Sequence, residues 1–450
     1  MKRNPNTYHL ISLGCAKNSV DSDSMAQLLE KEGYLPENDI KTAEVLIVNT
    51  CGFIASARDE SYDVLRELSE HKQPGQILIA AGCLTQRYGR EVAEKVEGID
   101  GIMGTRRWMD IVKLIKQIRS SDHPEPQYHL PDNAVVGSDE KGALRASVAG
   151  TSAYIKIADG CRRPCAFCAI PLIKGTLVSR PLKMVLDEAR TLRDAGMREI
   201  ILIAQDTTDY GHDLGMKDGL AILLESMVKE TPEIDWIRIM YAYPGYVTDR
   251  LIDVMASNKQ ILPYLDIPLQ HAHPDTLKRM RRPANINWVN NTLEKMRENI
   301  SDLAIRTTFI VGYPGETNEE FEALLKFIKD IRFDRVGTFK FSFEQGTTSE
   351  PLGDPIPEEV KEARYQELME TQQAISLQIN QGYVGKDLDV LIEGIDQEQG
   401  ISIGRSYRDA PEIDGMIIVE GNAEPGSIIP VHINSAMPYD LAGTLKTPIK

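Results

Sequence analysis

The chain has 450 residues, 42% hydrophobic and 26% charged, with a formal charge of −16. That length allows two or three domains with well-buried cores, and the composition is ordinary for a folded soluble protein. No run of about 18 apolar residues occurs, so no membrane span is expected; the negative charge argues against a general nucleic-acid binder while leaving room for a local basic groove.

The start, "MKRNPNTYHLISLG", has a basic tip, but the apolar stretch behind it is too short and polar for a signal peptide. A cytoplasmic location is expected. Thiols stay reduced there, so six cysteines read as ligands or nucleophiles before they read as disulfides. Three of them share one local setting. "YHLISLGCAKN" is an apolar strand followed by Gly14 and Cys15, "AEVLIVNTCGF" is a strand ending at Cys51, and "QILIAAGC" ends at Gly82 and Cys83. Helix-like segments such as "DSDSMAQLLEKEG" and "SARDESYDVLRELSEH" follow. This alternation predicts an N-terminal parallel α/β sheet domain over residues 1–120. Residues that follow parallel strands gather on the carboxyl edge of the sheet. A single cysteine there reads as a small buried hydrophobe; three in the same context point to a shared metal site.

Residues 121–150, rich in Pro, Asp, Ser and Gly, read as a linker. Strand–helix rhythm resumes at 151, with strands expected at 153–158, 199–205, 236–243, 264–269, 304–312 and 335–343. Six such units make a partial (β/α)6 TIM-like barrel over residues 151–382, its last part, 356–382, being a connecting helix. Residues 383–450 alternate instead ("DLDVLIEG", "GISIGRS", "GMIIVEG", "SIIPVHI") and predict a small antiparallel β-barrel of five strands.

The second cysteine set follows the first barrel strand. In "DGCRRPCAFCAIP" (159–171), Cys161, Cys165 and Cys168 have C-x₃-C-x₂-C spacing. Three thiolates leave a fourth position open. Either a histidine completes a zinc site, or three irons of a four-iron cluster are held and the fourth stays open to bind a substrate nitrogen and oxygen.

The triad, with Phe167 just before its last cysteine, resembles the radical S-adenosylmethionine (radical SAM) superfamily. There the amino and carboxylate groups of SAM chelate the open iron, and one electron splits the sulfonium to give a 5′-deoxyadenosyl radical. The likeness extends further. Cys15, Cys51 and Cys83, then the triad, then a small β-barrel resemble the methylthiotransferase family over nearly the whole chain. "SLGCAKNSVDSD", "VNTCGFI", "AAGCLTQRY", "GCRRPCAFCAIP", "YLDIPLQHAHPDTLKRMRR", "RTTFIVGYPGET" and "FSFEQGT" carry it. Lys174, where Arg is common before Gly175, and Asp23, where Glu is common, are mild departures.

The resemblance implies two [4Fe-4S] clusters, one on each cysteine set, and a C-terminal TRAM domain of OB-like type. "SLGCAKN" is similar to the branch that modifies small-subunit ribosomal protein twelve, free or within the ribosome, at the β-carbon of an aspartate. Such a C–H bond yields to a carbon radical and not to a side-chain base, so the cofactor carries the hard step. One SAM methylates a sulfur held on the second cluster, and another SAM makes the radical. An electron donor such as flavodoxin or ferredoxin and a sulfur donor are implied. The alternatives are the sister enzymes acting on adenosine in transfer RNA, and a non-catalytic iron–sulfur electron carrier. RNA binding by the terminal barrel is not expected, because residues 384–450 hold five Lys and Arg against eleven Asp and Glu.

Further site residues come from position. Gln205 and Asp206 end the second barrel strand, where a superfamily motif contacts the SAM amino group. Arg306 on the fifth strand could pair with the SAM carboxylate. Gly312 in "VGYPGE" would let backbone approach the cofactor. Each equally suits strand-end packing or turn chemistry. Gln270 and His271 end the fourth strand; His271 is either a general acid or a structural histidine. "KRMRR" (278–282) reads as a solvated helix face or a contact to an anionic substrate.

Overall fold

The computed structural model describes residues 6–121, 125–132 and 140–446; residues 1–5, 122–124, 133–139 and 447–450, parts of the expected N-terminal domain, linker and terminal barrel, lie outside the described residues.

Strands β1 (Thr7–Ser12), β2 (Leu35–Pro36), β3 (Val45–Thr50), β4 (Ile77–Gly82), β5 (Gly101–Gly104) and β6 (Gln127–His129) form one parallel sheet in the order β2-β1-β3-β4-β5-β6. The runs VLIVNT and ILIAAG are buried at every residue, as strands covered on both faces must be. Helix α1 (Ala16–Lys31) covers one face through Met25, Leu28 and Leu29. Helices α2 (Ala55–His71) and α3 (Cys83–Lys95) cover the other through Tyr62, Leu65, Leu84 and Val92.

The second sheet is built from β7 (Ala146–Ala149), β8 (Ser152–Lys156), β11 (Glu199–Ile203), β12 (Trp236–Ile239), β13 (Ile261–Asp266), β14 (Ala304–Val311) and β15 (Arg335–Lys340). A ribbon of β9 (Ala158–Asp159) and β10 (Val178–Ser179) stands beside it. Strands β8 and β11 to β15 run parallel in sequence order and β7 is antiparallel at the edge, giving a half-barrel of six parallel strands with helices outside. Its concave face is covered by its neighbours: Tyr154, Ile201, Ile203, Met240 and Tyr264 pack on Val20 of α1 and on Leu391 and Ala410 of the terminal domain.

That terminal domain is a closed barrel of β16 (Asp387–Asp396), β17 (Ile401–Arg405), β18 (Ile417–Glu420), β20 (Leu441–Leu445) and β19 (Ile428–Ala436), in that order. All pairings are antiparallel except β18 with β20. The half-barrel's Glu199, fully buried, binds Arg238 and the terminal domain's Arg405, each at 2.7 Å. Burial alone would push the Glu199 carboxyl up, but the two guanidiniums hold it at about 2.

The stretch read as a linker carries the edge strands β6 and β7. Each has only three or four residues, too few for a period of two to show, and pairing with an existing edge makes them strands. Among the described residues no helix is long and apolar enough to cross a membrane.

Candidate metal centres

Strands β1, β3 and β4 are adjacent, with Ser12 opposite Asn49 and Thr50 opposite Gly82. Cys15, Cys51 and Cys83 therefore leave the sheet on one edge. Asn18 of α1 ties the three loops together. Its Nδ2 donates to Leu13 O (2.8 Å) and Thr50 O (3.1 Å), and the Cys83 thiol donates to its Oδ1 (3.6 Å). Close approach demands glycine here. A Cβ on Gly52 would lie 2.6 Å from Leu84 Cα, and one on Gly14, whose φ is +94°, would lie 2.9 Å from Cys51 Cβ. Burial raises the Cys51 thiol and pushes Cys83 up to about 12; Cys15 raises both further, because the sulfurs sense one another. A metal bound here would have to displace those protons.

Cys161, Cys165 and Cys168 occupy one loop over the mouth of the half-barrel. The Cys161 N–H donates to Gly175 O (3.1 Å), and a Cβ on Gly160 would stand 2.0 Å from Thr176 O. Burial pushes Cys161 to about 11 and Cys168 to about 12. Two arginines contact the sulfurs, one through its backbone and one through its guanidinium. The Arg163 backbone N–H donates to Cys161 Sγ and Arg282 Nη1 to Cys165 Sγ, both at 3.5 Å, while their guanidiniums lie over Tyr246 and Tyr243. Arg282 belongs to "KRMRR", so one end of that segment faces the triad. Phe167 packs against Met280, Tyr313 and Phe341.

The two cysteine sets meet across a buried charged seam. Asp21 of α1 receives Arg145 (2.5 Å), Lys156 (2.8 Å) and Lys174 (2.8 Å). Lys156 also reaches Asp159 at 2.6 Å. Lys174 also donates to Thr105 Oγ1 and lies close enough to Cys83 to lower its thiol. The position that departs from the usual Arg is thus a cation joining the sheet domain to the triad loop. On the rim, Arg58 and Arg87 of the sheet domain share Glu344.

Position alone assigned several residues that contacts now define. His271 is fully buried; its Nδ1 accepts from the His273 N–H (3.0 Å), leaving Nε2–H to donate to Glu316 Oε1 (3.0 Å). Both ring nitrogens are committed within the protein, an arrangement that suits a structural histidine. Gly312 has φ +73° and does need glycine, but Lys361 fills the space beside it and its N–H donates to Glu316. Its immediate neighbours are thus packing partners within the chain. Arg306 lies five residues before the end of β14 and pairs with Asp266 (3.0 Å) and Asp414 (3.3 Å). Its fork is taken by carboxylates of the half-barrel and the terminal domain. Asp206 is held by Arg163 at 2.6 Å, its carboxyl still raised by burial. Gln205, beside it, is half-buried. Of this group, Asp206 alone is linked to the triad, through Arg163. Asn18, Asp21 and Lys17 were missed. All three lie inside "SLGCAKNSVDSD", the string around the first cysteine, which was the available signal.

Comparison with known proteins fits this geometry. Residues 7–104 match an uncharacterized protein family (UPF0004), residues 155–328 the radical SAM superfamily, and residues 384–445 the TRAM domain. In fold alone, the chain resembles the radical SAM methyltransferase TsrM from Kitasatospora setae, solved with cobalamin and a [4Fe-4S] cluster. The TM-score is 0.55 at 14% identity, over 86% of this chain and 76% of that one. The class is that of radical SAM enzymes with SAM and a [4Fe-4S] cluster, carrying a second three-cysteine site. A ribosomal protein uS12 methylthiotransferase RimO from Chloroflexus aurantiacus is 48% identical, over 97% of this chain and 99% of its own. One from Roseiflexus sp. (strain RS-1) is 43% identical over 97% of both. The chain belongs to this RimO family of methylthiotransferases.

Proposed function

We propose that the protein transfers a methylthio group to the β-carbon of an aspartate in ribosomal protein uS12, in the cytoplasm, using two SAM molecules and two [4Fe-4S] clusters. Cys161, Cys165 and Cys168 would hold one cluster, Cys15, Cys51 and Cys83 the other. The observation that carries this reading is that two three-thiol sets, each one ligand short of a closed site, lie either side of one seam at the carboxyl ends of two parallel sheets.

The residues fit such groups. Each set has glycines that bring its loops together, and at the triad a backbone N–H of Arg163 and the guanidinium of Arg282 donate to sulfurs. When bound, the clusters and SAM supply electron transfer, radical hydrogen abstraction and a site for sulfur. The chain's own part is placement. Arg282 balances thiolate charge at the triad; Arg163 supports Cys161 through its backbone N–H and is itself fixed by the 2.6 Å pair with Asp206; the Asp21 seam fixes the spacing of the two sets. The half-barrel's concave face is filled by α1 and the terminal domain, which keeps water from the reacting side. An electron donor such as flavodoxin or ferredoxin and a sulfur donor complete the cycle.

The terminal barrel suits a basic protein better than RNA. Arg405 and Arg408 are buried in ion pairs with Glu199 and Asp334. Asp389, Glu393, Glu398, Glu412, Glu420 and Glu424 are exposed. That balance repels phosphate and attracts a basic partner. The test is mass spectrometry of ribosomal proteins and of hydrolysed transfer RNA from a deletion strain. Loss of the methylthio mass from uS12 is expected; its loss from adenosine instead would move the assignment to the RNA-modifying sister enzymes.

A further inference from the structure

One buried cation at the seam has no carboxylate partner among the described residues. Lys17, two residues after Cys15 in the first turn of α1, is only 8% exposed. Its Nζ lies 3.2 Å from the centre of the Tyr241 ring. Among the described residues it has neither a hydrogen-bond acceptor nor a carboxylate oxygen within 4.0 Å. The other buried lysines all have one: Lys156 and Lys361 reach carboxylates at 2.6 Å and Lys174 at 2.8 Å. Burying an ammonium without a counter-charge is costly, and the ring offsets only part of that.

The ring is placed at some expense. Tyr241, just beyond β12, has φ +61°, a left-handed conformation that bulky side chains avoid. It is held there by its N–H to Asp266 Oδ2 (3.2 Å) and by the Thr207 N–H to its carbonyl (3.1 Å). Strain of this kind, imposed by its surroundings, gathers at ligand sites.

Position decides which anion is missing. Of the charges that favour the protonated form of Lys17, those of Cys15 and Asp266 act most strongly. The triad has its own cation in Arg282, whose guanidinium donates to Cys165 Sγ. An anion drawn to Lys17 therefore sits beside the N-terminal cysteine set, above the end of β12, where the sulfur acceptor must stand. In an aspartate side chain the β-carbon is bonded directly to the carboxylate carbon, so one grip on the carboxylate fixes the reacting carbon.

We infer that Lys17 binds the side-chain carboxylate of the target aspartate and selects it over the corresponding amide. This rests on the function proposed above. The test uses the full-length, iron-reconstituted enzyme, with Lys17→Met and Lys17→Gln, and uS12 carrying either aspartate or asparagine at the target position. Iron content and thermal melting establish that each variant is folded and loaded. Dissociation constants and methylthio product are then measured on both substrates. The unmodified enzyme should favour aspartate by roughly 10- to 100-fold, the value of a charge-assisted hydrogen bond to a buried group. Both variants should lose that preference, with the loss falling on the aspartate form. Retained preference, an equal loss on both substrates, or loss of iron from both variants would overturn the assignment of Lys17. An unmodified enzyme that acts on neither form would overturn the functional reading and this inference with it.

Discussion

The two cysteine sets solve the same problem in opposite ways. Cys161, Cys165 and Cys168 ride on one loop, and their spacing is nearly a property of local sequence. Cys15, Cys51 and Cys83 meet only after three parallel strands have paired in register, which demands non-local contacts that form late and at greater entropic cost. One site is written in a motif and the other in a topology. Damage to the sheet should therefore spare the triad, while the N-terminal site should report on the integrity of the whole domain.

The strongest way to break that distinction is to remove each set. Changing Cys161, Cys165 and Cys168 together to Ala should remove about half the iron, one of two clusters, and all 5′-deoxyadenosine formation. Changing Cys15, Cys51 and Cys83 together to Ala should remove the other half. Complete iron loss from either variant, read by metal analysis, would contradict separate sites.

The seam comes next in size. Asp21 answers three buried cations, which hold its carboxyl well below the usual range against the upward push of burial. Asp21→Asn should cost about 3 kcal/mol, typical of breaking a buried pair, measured by chemical denaturation. Because its folded value is depressed, Asp21 contributes stability above the ordinary carboxylate range, and that contribution is lost as pH falls through the folded value. The variant should therefore lose less stability on acidification than the parent. An unchanged acid limb would place the seam's support elsewhere.

Glycine exchanges sharpen the comparison at smaller cost. Gly52→Ala drives a Cβ into the Leu84 backbone; it should destabilise by roughly 1–3 kcal/mol and lower iron at the N-terminal site alone. Gly160→Ala, against Thr176 O with φ +70°, should lower it at the triad alone. Electron paramagnetic resonance of the reduced proteins separates the two signals. The smallest effect concerns the terminal barrel: uS12 binding to the full chain should weaken severalfold between low and physiological salt, and salt-independent binding would remove its acidic face from the interaction.

Legibility followed the same divide. The triad could be read directly, and the strand-end setting of Cys15, Cys51 and Cys83 pointed to a parallel sheet edge because strands alternate with helix-like segments there. The half-barrel and terminal barrel were visible in their strand rhythms. What stayed hidden depended on partners far along the chain. Asp21 gains its meaning from Arg145, Lys156 and Lys174, each more than 100 residues away. His271 reads equally as an acid or a structural histidine, and its partners Glu316 and the His273 N–H lie outside any local pattern. Lys17 looks like any lysine in a polar turn until α1 buries it over Tyr241. Strands β6 and β7 are too short to carry a pattern and exist by annexing an edge.

Division of labour between the two sets is tested most directly by product analysis of the chain with Cys15, Cys51 and Cys83 changed to Ala and the triad intact. Incubated with SAM, a reductant and uS12, it should still form 5′-deoxyadenosine and yield no methylthio-uS12. Methylthio-uS12 from that variant would contradict a role for the N-terminal set in sulfur delivery.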